Sequence, residues 1–175
     1  MTTAYLGTPV WKNATNALGF TNPGTVDTVK RVPLGTIRQF VDPVYGTGEF
    51  IYLQGCASTV AGDAVVYDAA FVTVRAAATT SDACAWAFAT GATVANTYGW
   101  YQIGGMGPGN KTKTVSMAAG ITVGVSTAGL ISASSSLKEL LGVVVAIVAS
   151  ATTTTNNGGK VTLMMNRPHG QGRIT

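Results

Sequence analysis

The stretch with the most enzyme-like spacing is "GGMGPGNKT", residues 104–112, a glycine run followed by a Lys-Thr pair. A phosphate-binding loop needs Gly, four residues, Gly, and then Lys and Ser or Thr at once, so that backbone N–H groups cradle the phosphates beneath the lysine. Here Asn110 separates Gly109 from Lys111, which puts the lysine one residue late. The loop must also open a helix whose N-terminus holds the anion. Instead "KTKTVSM" at 111–117 alternates with period two, which is strand spacing. The glycine run reads as a hairpin or loop leading into a strand, not as a nucleotide site.

The other chemistry-bearing residues are few. His169 is the single histidine, in "NRPHGQGR", where a surface or interface contact is the plainer reading than a general base. Cys56 and Cys84 stand 28 residues apart without the paired spacing of a zinc site, and they read as buried free thiols. Asp42 with Glu49, and Asp63 with Asp68, are the available carboxylate pairs for glycosidase-type work. Asp before Pro and Asp after Gly are, however, ordinary turn chemistry. The serines lack the Gly-x-Ser-x-Gly elbow. No catalytic residue, metal site or cofactor is assigned, and the reading is that the protein is not an enzyme.

Something must position these residues, and composition indicates sheets. Only 10% of the 175 residues are charged, 7 are acidic and 22 are glycine, too few polar groups to cover long amphipathic helices. From Glu49 onward, short strand-like runs alternate with turn signals: "EFIYLQG", "AGDAVVYD", "AAFVTVRAA", "CAWAFAT", "TYGWYQIGG", "ITVGVSTAG", "LGVVVAIVASA" and "KVTLMMNRP". In "CAWAFAT" one face carries Cys84, Trp86 and Phe88 and the other alanines, as in a tightly packed inner sheet. "SSSLKELLG" has the only helix signature, one or two turns. Asn157-Gly158 is the strongest hairpin signal.

Residues 1–45 differ, with Pro9, Pro23, Pro33 and Pro43 among Thr, Asn and Gly, and read as an extended arm. The expected organisation is an all-β, jelly-roll-like sandwich or barrel over 46–175 with an extended N-terminal arm. Neither a signal peptide nor a membrane helix is predicted, since the longest apolar run, 140–149, is far short of about 20 residues.

Charge is placed at the ends. Lys12, Lys30, Arg31 and Arg38 face Asp27 alone within 1–41, and Lys160, Arg167 and Arg173 face no acid within 160–175. Such ends suit docking to an acidic surface. No basic run interleaved with aromatics supports nucleic-acid binding. Trp100 and Tyr101, adjacent on a strand, must point to opposite faces, so one is expected in the core and the other at a second sheet, a neighbouring subunit or solvent.

Three pieces, "DPVYGTGEFIYLQG" at 42–55, "YGWYQIGG" at 98–105 and "GGKVTLMMNRPHGQGR" at 158–173, give the chain its family likeness. In them it resembles the decoration, or cement, proteins of tailed-bacteriophage heads. The resemblance implies a structural virion protein on the outer capsid surface, assembled in the host cytoplasm and bridging neighbouring capsomers. It implies the major capsid protein and further copies of itself, as dimer or trimer, as partners, with no nucleic acid and no membrane. Lys12, Lys30, Arg31 and Arg38 are the candidates for shell contact, and Trp100, Tyr101, Met164, Arg167 and His169 for packing or self-association. The alternatives are a carbohydrate-binding β-sandwich or head fibre, for which Trp86 or Trp100 would stack on sugar, and a small β-barrel enzyme.

Overall fold

A computed structural model describes residues 21–77, 84–112, 115–127, 129–133, 139–147 and 159–170. The described chain is all-β and antiparallel in its strand pairing, one hydrogen-bonded sheet that does not close into a barrel and is consistent with a sandwich. In chain order the strands are β1 (Val26–Asp27), β2 (Ile37–Asp42), β3 (Gly46–Gln54), β4 (Ala64–Tyr67), β5 (Thr73–Arg75), β6 (Ala85–Ala89), β7 (Tyr98–Asn110), β8 (Thr122–Thr127), β9 (Leu130–Ala133), β10 (Leu140–Ile147) and β11 (Lys160–Gly170). The main path runs β2-β3-β7-β6-β11-β10-β8-β9, with β1 on β7 and β4–β5 joined through β6.

The glycine run is neither hairpin nor loop. Residues 104–110 continue β7, whose first half pairs with β3 up to Glu49↔Gly104 and whose second half pairs with β11 from Asn166↔Gly104 to Lys160↔Asn110. One strand thus passes from one set of neighbours to the other, and small residues let it do so. Gly105 sits at φ +84, and a Cβ there would lie 2.5 Å from the Thr47 carbonyl oxygen. The ladder with β3 shifts register at this place, between Glu49 and Phe50, as a strand bending at a bulge does. At Gly107 a Cβ would collide with the buried Gln102 side chain, which donates to the Gly104 and Met106 carbonyls at 3.1 and 2.8 Å. The strand expected at 111–117 is absent from its described part, where Lys111 and Met117 form only isolated bridge positions.

Two further expectations are corrected. The arm drawn over 1–45 is part of the domain from residue 21: β1 pairs with β7, β2 pairs with β3 along its whole length, and Val32 and Phe40 are buried. Pro23, Pro33 and Pro43 fall before, between and after these two strands, so the proline spacing marks the ends of short strands. Pro9 and Lys12 lie outside the described residues, as do Arg173 and the Asn157-Gly158 turn. The helix signature at 134–142 also fails in its described part, since Leu140, Leu141 and Gly142 begin β10. Leu140 pairs with Gly170 of β11 and Val123 of β8, and ladder bonds on both sides outweigh a weak local preference.

Three clusters make the core. One face of β2, β3 and β7 packs Phe40, Phe50, Tyr52 and Trp100, with ring centroids 5.1 to 5.4 Å apart in edge-to-face contacts. The opposite face packs Ile51, Leu53, Tyr101 and Ile103 against Val65, Ala87 and Ala89. The largest cluster joins Trp86 and Phe88 to the inner residues of β8 to β11, including Val123, Val143, Val145, Val161, Leu163 and Met165. Residues of β6 divide between clusters as their alternation predicts, Trp86 and Phe88 to one side and Ala87 and Ala89 to the other.

Candidate interaction surface

The carboxylates go to structure. Asp42 Oδ1 accepts from the Val44 and Tyr45 N–H groups at 2.6 and 2.9 Å, closing the β2–β3 hairpin, and Asp68 Oδ1 accepts from Ala70 and Val72 N–H at 2.9 and 3.0 Å. Glu49 holds Arg167 through both oxygens at 2.9 and 3.1 Å. Asp63 does more than turn duty. It is fully buried, 2.9 Å from Arg75 Nη2, and accepts from Asn110 Nδ2 at 2.8 Å and Val60 N–H at 3.1 Å. Lys160 Nζ completes the group by donating to Asn110 Oδ1 and the Ala61 carbonyl. Burial pushes the Lys160 ammonium pKa down, and the Asp63 charge partly restores it. This network ties the turn before β4 to β5, β7 and β11, a clamp the sequence shows only as an Ala-Gly-Asp turn.

Among the described residues no group of three or more His, Cys, Asp or Glu side chains is placed to hold a metal ion. Cys56 and Cys84 are half-buried free thiols rather than fully buried ones. His169 is exposed, with Nδ1 3.3 Å from the Arg167 carbonyl oxygen.

Trp100 and Tyr101 do point to opposite faces, and both faces are covered: Trp100 is 1% exposed and Tyr101 0%. Both pack within the chain, so neither ring meets a second subunit or solvent. The Tyr101 hydroxyl lies 2.8 Å from Thr93 Oγ1, and burial pushes its pKa up to about 12. Tyr52 donates to Asp27 Oδ2 at 2.8 Å, and burial together with that bond raises its phenol well above the usual range. Asp27 also accepts from Thr21 Oγ1 at 2.8 Å and pins the start of the described chain.

What remains for contact lies on the surface, in two places. Lys30 and Arg31 are exposed in the loop between β1 and β2, with Arg31 Nε 3.8 Å from Asp27 Oδ1, a loose pair. Arg38 is half-buried on the Phe40 side of β2. The second place is the outer face of β10 and β11, where Val144 pairs directly with Met164 and both are exposed. An open groove of about 240 Å³ runs beside them, lined by Thr122, Leu140, Leu141, Val143 and Asn166 among others. Farther along β11, Arg167, at φ 45, and His169 are also exposed. The fold therefore gathers Met164, Arg167 and His169 on β11, with β7 between that strand and β1, after which Lys30 and Arg31 follow. No protein-family model, curated protein or solved structure matches the chain.

Proposed function

We propose that the protein is a structural virion component that binds the outer surface of a tailed-phage capsid and cements neighbouring capsomers. The observation that carries this reading is the exposed apolar pair Val144–Met164 with its groove, on the outer face of β10 and β11 and bordered by Thr122, Glu139 and Asn166. Apolar anchors in a groove with a polar surround are how protein interfaces concentrate binding energy. The exposed Lys30 and Arg31 add a second, electrostatic contact after β1, across β7 from β11. The family likeness in residues 42–55, 98–105 and 158–173 is what points to a capsid as the partner.

The mechanism is mechanical. A clamp that binds the expanded shell and not its precursor stabilises the expanded form by mass action. Two separated contacts on one domain span two shell subunits, and engagement of one raises the effective concentration of the other. The carbohydrate alternative loses its platform, because Trp86 and Trp100 are 5% and 1% exposed.

The test is occupancy on expanded, undecorated tailed-phage capsids, read by co-sedimentation and cryo-electron microscopy. Met164→Glu is expected to reduce occupancy at least tenfold, and Lys30→Glu with Arg31→Glu to weaken it in a salt-dependent way. Unaltered occupancy for both variants, or no binding by the native chain, overturns the reading.

A further inference from the structure

We infer that β2 is a self-association edge, through which two copies of this chain join about a two-fold axis at Gln39 into one continuous sheet. The inference concerns the chain alone and stands whether or not a capsid is its target.

Among the described residues β2 ends the main path and pairs with β3 only. Its two rows of main-chain groups can be told apart. Tyr52 N–H donates to the Thr36 carbonyl at 2.9 Å, so Thr36 faces β3. By the alternation of an antiparallel ladder, Arg38, Phe40 and Asp42 face β3 too, and the N–H and C=O groups of Ile37, Gln39 and Val41 point out of the sheet. The same three residues are the exposed ones in the strand, Ile37 at 43% and Val41 at 54%. Edge strands are ordinarily blunted by proline, charged side chains or a bulge. β2 contains no proline, its charged residues Arg38 and Asp42 lie on the Phe40 side and leave the exposed row of Ile37, Gln39 and Val41 uncharged, and its register with β3 is unbroken from Ile37↔Ile51 to Asp42↔Gly46.

One antiparallel register pairs the outward main-chain groups of all three residues. With Gln39 opposite Gln39 of the copy, Ile37 lies opposite Val41 and Val41 opposite Ile37. All three are hydrogen-bonding positions, giving about six main-chain hydrogen bonds. The apolar side chains meet twice on the outer face. Neighbouring registers do worse. A two-residue slip one way sets Ile37 against Pro43, which has no N–H to give. A slip the other way sets Val41 against Gly35, whose N–H is already given to the Tyr52 carbonyl at 2.9 Å. Because the contact is isologous it closes at two copies.

The test is mass in solution together with cross-linking geometry. Sedimentation velocity of the native chain is expected to give a dimer. Gln39→Pro removes an N–H that β3 does not use, so it should keep native circular dichroism and sediment as a monomer. Gln39→Cys is expected to form a disulfide-linked dimer under mild oxidation. Val41→Cys should not, because the register holds the two copies of position 41 roughly 13 Å apart. A native monomer or trimer, an intact dimer in Gln39→Pro, or equal cross-linking of the two cysteine variants overturns the inference.

Discussion

The two halves of β7 solve opposite problems with the same backbone. Residues 98–103 carry Trp100 and Tyr101, one into each of two apolar clusters, and hold the sheet by filling space on both faces. Residues 104–110 carry four glycines and hold it by leaving space, so that Thr47, Gln102 and Leu163 can approach the main chain. Stability in the first half resides in side chains and in the second half in their absence. The first should therefore fail by deletion and the second by addition.

The largest effect is expected for Trp100→Ala, which empties the centre of the Phe40, Phe50 and Tyr52 cluster and should cost roughly 3–5 kcal/mol in urea unfolding. Trp100→Phe sharpens the point. The indole N–H of Trp100 meets no acceptor among the described residues, so the smaller ring should lose only part of that stability. An equal loss for both would mean that packing volume is not what the residue contributes.

Gly105→Ala tests addition. It forces a Cβ into the left-handed region 2.5 Å from a carbonyl oxygen, and about 3 kcal/mol of destabilisation is expected from one methyl group. A neutral result in thermal melts would remove the close-approach account of the second half.

Tyr101 gives a pH signature confined to the first half. Its folded pKa lies near 12 against an ordinary 10.0, chiefly because burial disfavours the phenolate. A raised folded pKa contributes stability that is fully present below pH 10 and is lost as pH climbs to 12, a change of up to about 3 kcal/mol. Tyr101→Phe should flatten that part of the alkaline unfolding profile measured by circular dichroism. The smallest effect belongs to Arg167→Ala. This exposed pair with Glu49 spans β11 and β3 over the surface, and its removal should leave the melting temperature within error while occupancy on capsids reports any contact role.

Legibility followed the range of the interaction. The two faces of β6 were readable because alternation of Trp and Phe with Ala is a property of adjacent residues, and both faces proved buried. The turn duty of Asp42 and Asp68 was readable because each bonds N–H groups two to four residues away. Glycine 104 to 109 misled because a strand glycine and a turn glycine look alike until the neighbour pressing on it is known. That neighbour, Gln102 apart, comes from Thr47 or Leu163, more than fifty residues away in the chain. The candidate surface was half readable. Met164, Arg167 and His169 stand out in sequence and lie together on β11, while Val144, which completes the apolar pair with Met164, is one valine among several in "GVVVAIV".

By itself the sequence determined an all-β chain: scarce charge, abundant glycine and short alternating runs leave no other way to cover polar backbone and bury apolar side chains. It also determined that Trp100 and Tyr101 part to opposite faces, since neighbours on a strand must. Only the tertiary structure decided that both of those faces are covered, that β7 continues through its glycines into a second set of partners, and that β2 is left as an edge among the described strands. Each of these depends on which distant strand arrives alongside, and pairing partners are chosen by the packing of the whole sheet rather than by the residues of any one strand.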